Sequence, residues 1–182
     1  NANEEQKERW LRPQATGEKL ACFGLTEPDA GSDVAAMKTT AIKQGDGTYL
    51  LNGEKSWISF GSTADHALVF AKTDPSAAHK GISAFVVDLK HDEGVSTQLY
   101  EHKIGEWASD TSSLFFSDVR LPADRLIGEE GEGFKIAMYS LDHGRFTVAA
   151  GAVGVIRACL EASVKYANER ETMGQPIGKH QF

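Results

Sequence analysis

No proline interrupts residues 133–170, and apolar side chains recur there at helical spacing: Phe134, Met138, Leu141, Val148, Ala152, Val155, Cys159 and Ala162. As a helix this run is a rod of roughly 55 Å, at about 1.5 Å per residue. That is longer than the expected width of the small β domain before it. Such a helix needs partners of comparable length, and the rest of the chain offers none. It is expected to pack in an oligomer, against helices outside these residues, or both. Gly174, Gln175 and Pro176 are expected to stop it.

Upstream the pattern is that of strands. Thr39–Lys43 and Thr48–Leu51 flank Asp46-Gly47, a hairpin signal, and Asn52-Gly53 joins the next strand, Glu54–Ser59. Ala67–Ala71, Ile82–Val87, Val95–Leu99 and Ser113–Phe116 are short, β-branched or aromatic runs punctuated by Gly, Pro, Asp and Lys. About seven strands without an intervening helix predict an antiparallel β-sandwich or barrel, α+β overall once the long helix is added. No G-x-G-x-x-G is present, which argues against a Rossmann nucleotide fold. Residues 1–12 read as the last turns of a helix that Pro13 ends, with Trp10 and Leu11 docking on a core. The chain opens mid-pattern without Met, so a fragment or a processed chain is expected. The expected divisions are 1–13, 20–128 and 131–182.

A formal net charge of −7 gives no overall positive field toward nucleic acid or an anionic membrane. No run reads as apolar enough to span a bilayer, and the first residues do not resemble a signal peptide. Cys22 and Cys159 lie in apolar patterns and read as free, buried thiols of a reducing compartment. The six His show no metal-ligand spacing.

Four stretches hold residues that suit chemistry. In Leu20–Asp33, LACFGLTEPDAGSD, a strand breaks into a turn where Pro28 removes a donor and Gly31 permits a positive φ. Such a turn suits a flat, polar-edged ligand or an anion, or is simply a surface turn. In NGEKSWIS (Asn52–Ser59), alternation puts Trp57 and Ser59 on one face. An indole beside a hydroxyl suits an isoalloxazine ring, and equally describes a core Trp with a satisfied Ser. Asp142 and Arg145 are three apart on the long helix, with Arg145 on the apolar stripe. They read as an intrahelical pair or as a buried charge awaiting a ligand. Arg170, Thr172, His180 and Gln181 read as a polar helix terminus.

These stretches, with GEGFKIAMYSLDHGR (Gly131–Arg145) and ERETMGQPIGKHQF (Glu169–Phe182), resemble the acyl-CoA dehydrogenase family in order and spacing, most nearly its short- and medium-chain type. The resemblance implies a middle β domain between an N-terminal helical domain, of which residues 1–13 are the end, and a C-terminal helical bundle begun at 131. It implies FAD as cofactor, held by Phe23, Leu25, Thr26, Trp57, Ile58 and Ser59, and by Arg170, Thr172, His180 and Gln181 reaching a neighbouring subunit's FAD. Ser59 stands where Thr is usual, and Met173 where Phe is common. Ser32, Asp142 and Arg145 match acyl-CoA contacts.

The implied reaction is α,β-dehydrogenation of an acyl-CoA to the trans-2-enoyl-CoA, in fatty acid β-oxidation. Electrons would go to an electron-transferring flavoprotein. The assembly would be a tetramer or dimer, in bacterial cytoplasm or the mitochondrial matrix. The base is a Glu that some members place just before the Arg matching Arg145, where this chain has Gly144. It is therefore expected beyond Phe182, and no catalytic residue is assigned here; the chain alone is expected to be inactive. An acyl-CoA oxidase-like relative and a non-catalytic β-barrel binding module are the alternatives.

Overall fold

The runs rich in β-branched and aromatic residues form strands β1 (Ala21–Gly24), β2 (Thr40–Lys43), β3 (Tyr49–Ser59), β4 (His66–Lys72), β5 (Ile82–Asp88), β6 (Val95–Leu99), β7 (Thr111–Leu121) and β8 (Leu126–Ile127) in a computed structural model that describes residues 1–180. They make one sheet in the order β6-β7-β3-β2-β4-β5-β8, with β1 added beside β4. The α+β class holds. The closed antiparallel barrel or sandwich does not: the sheet is open and mixed, because β1 and β2 both run parallel to β4. Residues 25–39, with a short 3₁₀ turn at Val34–Ala36, carry the chain from the end of β1 back to the start of β2, so that both run the same way beside β4. Alternation of apolar residues carries no sign of strand direction, so this could not be read from the pattern.

β4 and β5 are buried on both faces, with Phe70, Ile82 and Ala84 fully enclosed on one of them, and the main apolar cluster lies on the other. Tyr49, Leu51, Val69, Phe85, Leu114 and Leu121 are almost fully buried in it. Each such side chain contributes about 1.5–3 kcal/mol of burial. Asn52-Gly53 is a bulge inside one continuous β3 rather than a junction between two strands. Gly53 sits at φ +144°, and a Cβ there would lie 2.5 Å from Thr39 Oγ1. The Asn52 side chain bridges to Asp118 on β7, both as donor (3.0 Å) and as acceptor from its N–H (2.8 Å).

The N-terminal helical segment runs through Pro13 instead of ending there: Glu4–Gln6, a wide π turn Lys7–Leu11, then Arg12–Ala15. The π turn accommodates the proline, which stands near the start of the last piece, where a missing N–H costs little. Trp10 is buried, edge-on to His66 (4.8 Å) and flanked by the Arg9 and Arg125 guanidiniums at 4.4 and 4.6 Å. Leu11, by contrast, is exposed.

The long helix, α1 (Gly133–Glu169), forms as predicted. Two compact units divide the chain, Asn1–Met138 and Tyr139–Phe182. In the first, Gly133 meets β5 closely enough that a Cβ would fall 2.5 Å from the Ser83 carbonyl carbon, and Ile136 and Ala137 are buried. In the second, Phe146, Val148, Val155, Ile156, Leu160 and Val164 are exposed. Three expectations fail here. Cys159 is exposed, not buried. Arg145 does not lie on a buried side. By length and composition alone α1 is apolar enough to cross a membrane, with a mean hydropathy of 1.5 in its most apolar window.

The helix ends at Glu169, ahead of Gly174-Gln175-Pro176, and a small hairpin follows, β9 (Glu171–Thr172) with β10 (Gln175–Pro176). Met173 (φ 51°) and Gly174 (φ 80°) form its tip, both left-handed as a two-residue hairpin turn of this kind requires. The predicted polar helix terminus is thus a hairpin.

Candidate functional site

β1 delivers the chain into the turn at Leu25–Ala30, which closes on itself through Glu27 N–H to Ala30 C=O (3.0 Å) and the reverse bond (3.2 Å). Gly31 has no positive φ, contrary to expectation, because the reversal is completed by Glu27 and Ala30 before it. Leu25 is buried and Phe23 packs tilted against Phe70 at 5.0 Å, so these two side chains serve the core. The Thr26 carbonyl accepts from Ser56 N–H (2.8 Å), which ties the turn to β3 one residue before Trp57. The Thr26 hydroxyl has no hydrogen-bond partner among the described residues. Ser32 stands exposed on the loop beyond.

Trp57 is no core residue: it is 63% exposed. Its backbone is left-handed, φ 61°, which is rare for an aromatic residue. The cause is an irregularity in the β3–β7 register between Lys55 and Ile58. Lys55 and Ser56 both turn inward, Trp57 outward, Ile58 into the core and Ser59 outward. The indole stacks on Tyr100 (4.5 Å between centroids, 27° between planes). A groove of about 940 Å³ opens between Trp57 and residues 97–104.

Past Ser59 the chain turns on Asp110. Its Oδ2 accepts from the N–H and hydroxyl of both Ser62 and Thr63 at 2.9–3.0 Å, and its Oδ1 from the Ser112 hydroxyl at 2.7 Å. Burial works against the Asp110 charge, but these donors outweigh it and hold the carboxyl below its usual range.

The structure therefore brings Thr26, Trp57 and Ser59 into one neighbourhood, with Ile58, Leu25 and Phe23 behind it. Asp142 and Arg145 form the plain intrahelical pair, Nη1 to Oδ1 2.7 Å, both about 70% exposed. Arg170, Thr172 and His180 gather at the hairpin of the second unit. His180 Nε2 and Thr172 Oγ1 are 3.0 Å apart, and the Arg170 backbone accepts from Ile177 N–H at 2.8 Å. Gln181 lies outside the described residues. Tyr100, Asp110, Glu27 and Lys55 went unassigned in the sequence. None of them carries a signal there: Lys55 stands between Glu54 and Ser56, and Glu27 in a polar turn.

Residues 22–119 match the family described as acyl-CoA dehydrogenase, middle domain, and residues 131–182 the acyl-CoA dehydrogenase C-terminal domain. The chain is 44% identical over 180 residues to a glutaryl-CoA dehydrogenase of Desulfococcus multivorans, covering 99% of this chain and 46% of the relative. It is 46% identical over 181 residues to the caffeyl-CoA reductase–Etf complex subunit CarC of Acetobacterium woodii, covering 100% and 47%. The solved butyryl-CoA dehydrogenase of Megasphaera elsdenii superposes with a TM-score of 0.92 at 46% identity, over 98% of this chain and 46% of that one. The chain thus spans about half the length of the curated relatives it matches.

Proposed function

This chain belongs to the acyl-CoA dehydrogenase family, and we propose that it is the middle β domain (20–128), with the end of an N-terminal helical domain (1–13) and the first part of a C-terminal one (131–182), of an FAD-dependent enzyme that dehydrogenates acyl-CoA thioesters at the α and β carbons. The observation that carries this is the exposed Trp57, held in a left-handed conformation over an open groove and next to the Thr26 turn. A core tryptophan would be buried and relaxed, whereas a flat aromatic ligand wants a free indole face and unpartnered hydroxyls at its edge. The residues present fit FAD on that ground. When bound, FAD supplies the two-electron redox chemistry of the reaction.

The chain's own part is orientation. Thr26 and Ser59 offer hydroxyl donors to the flavin edge, Trp57 bounds the ring, and the backbones at Phe23, Leu25 and Ile58 shape the floor beneath. Arg170, Thr172 and His180 suit the pyrophosphate half of a cofactor in a neighbouring subunit, an Arg being well matched to phosphate geometry. Ser32, Asp142 and Arg145 are assigned to acyl-CoA on the family match. No carboxylate within this chain is assigned to take the α-proton, since Gly144 stands before Arg145.

The exposed apolar residues of α1 fit burial between helices of a tetramer or dimer better than a bilayer. Asp142, Arg145, Arg157 and Glu161 punctuate the helix, and charges at bilayer depth are costly. A relative named as part of an Etf complex supports an electron-transferring flavoprotein as electron partner, and a bacterial cytoplasm or mitochondrial matrix as location follows from the same family reading. The test is to load the full-length protein with FAD and offer a panel of saturated acyl-CoAs. Bleaching of the flavin absorbance is expected with at least one. No bleaching with any, and no flavin reoxidation by enoyl-CoAs after chemical reduction, overturns the dehydrogenase assignment.

A further inference from the structure

Glu27 and Lys55 form an ion pair in the interior, 5% and 0% exposed, with Nζ 2.7 Å from Oε1. Lys55 Nζ also donates to the Leu25 carbonyl at 3.2 Å. The Glu27 carboxylate accepts two further bonds, from the N–H of Lys38 and from that of Thr39 (3.1 Å). Burial pushes the Lys55 ammonium down to about 8, against the pull of Glu27. On Glu27, burial is outweighed by Lys55 and by these backbone donors, so its carboxyl lies below the usual range.

The geometry of this pair has a direction. It sits behind the turn, not in the groove. Leu25 C=O and the Glu27 carboxylate are engaged from the inner side by Lys55, and Thr26 C=O, between them, by Ser56 N–H. Between Leu25 and Glu27, the Thr26 hydroxyl is left without a hydrogen-bond partner among the described residues. Lys55 stands two residues before Trp57 on the irregular part of β3, so one side chain spans both halves of the site. A buried ion pair of this kind adds little net stability over a well-packed apolar pair, and in some proteins such a pair sets the register of the elements it joins.

We propose that Glu27 and Lys55 are positioning residues of the flavin site, locking the Thr26 turn to the strand that carries Trp57 and Ser59 and so setting how Thr26 is presented to the ring. This rests on the FAD assignment above. The double variant Glu27→Gln/Lys55→Met, made in the full-length protein, removes both charges together and leaves no lone buried ion. FAD affinity, the absorption spectrum of the bound flavin and its reduction potential are measured beside the melting temperature. Losing the hydrogen bonds that hold the turn is expected to weaken FAD binding by about tenfold and to shift the bound-flavin absorption bands in a protein that is still folded.

Glu27→Asp keeps both charges and retracts the carboxylate by one methylene. It is expected to move affinity and spectrum in the same direction, and it carries the comparison should the double variant not fold. Unchanged affinity, spectrum and potential in either folded variant overturn the proposal alone. A wild-type protein that takes up no FAD overturns this proposal together with the flavin assignment.

Discussion

Replacing Trp57 by glycine and by alanine separates backbone strain from ring contact. Both substitutions remove the stack on Tyr100, seen at 4.5 Å and 27°, a contact worth about 0.5–1.5 kcal/mol. The residue is 63% exposed, so little core burial is lost with it. The two variants differ in the backbone: at φ 61° a side-chain-bearing residue costs about 1–2 kcal/mol that glycine does not. Glycine gives back about 0.5–1 kcal/mol through the greater freedom of its unfolded chain. Trp57→Gly is therefore expected to be the more stable of the two by about 0.5–1 kcal/mol. With a urea m-value of about 2 kcal/mol/M, that separates the midpoints by about 0.3–0.5 M at equal slope. Both should lose flavin binding to a similar extent, because both lack the indole. An alanine variant as stable as the glycine variant, or more so, would refute the claim that left-handed strain is held at this position.

Trp10→Ala should destabilise by about 3–5 kcal/mol, the usual cost of emptying a buried tryptophan site, because the indole is enclosed by His66, Arg9 and Arg125; denaturant titration giving under 1 kcal/mol would show that the N-terminal segment is not docked. Glu27 has a folded pKa below its ordinary 4.5, so its contribution to stability is complete above about pH 4.5 and is lost as the pH falls through the folded value. Stability measured from pH 6 to pH 3 should accordingly fall less steeply for the double variant Glu27→Gln/Lys55→Met, which leaves no lone buried lysine, than for wild type, and equal slopes would contradict the pairing. Burial first, and the Asp110 charge second, push the Cys22 thiol up to about 12; it should resist iodoacetamide at pH 8 in the native protein and react on unfolding.

Much of the fold was legible in the residues. The proline-free apolar repeat specified α1 almost to its last residue, and every predicted strand exists. Two kinds of feature escaped. Irregularities that insert or re-aim one residue left no mark in a period-two pattern: the Asn52-Gly53 bulge looked like a junction, and the shift after Lys55 hid which way that lysine points. Partners distant in sequence were equally invisible. Asp110 gathers Ser62 and Thr63 from across a gap of nearly fifty residues, and Tyr100 reaches back to Trp57. The motifs named the neighbourhood of the site, but the residues that brace it lie partly outside them.

The sequence by itself determined the long helix and the main strands, because side-chain periodicity and the steric habits of Gly, Pro and β-branched residues act over a few neighbours. It also determined, through its motifs, the family to which the chain belongs. Tertiary structure alone decided strand direction, the open mixed sheet, the outward turn of Trp57 and the inward turn of Lys55. Those outcomes depend on where each backbone donor and each charge finds its partner once the chain is compact. A lysine flanked by Glu54 and Ser56 reads as solvated until Glu27 and the Leu25 carbonyl, almost thirty residues away, close over it.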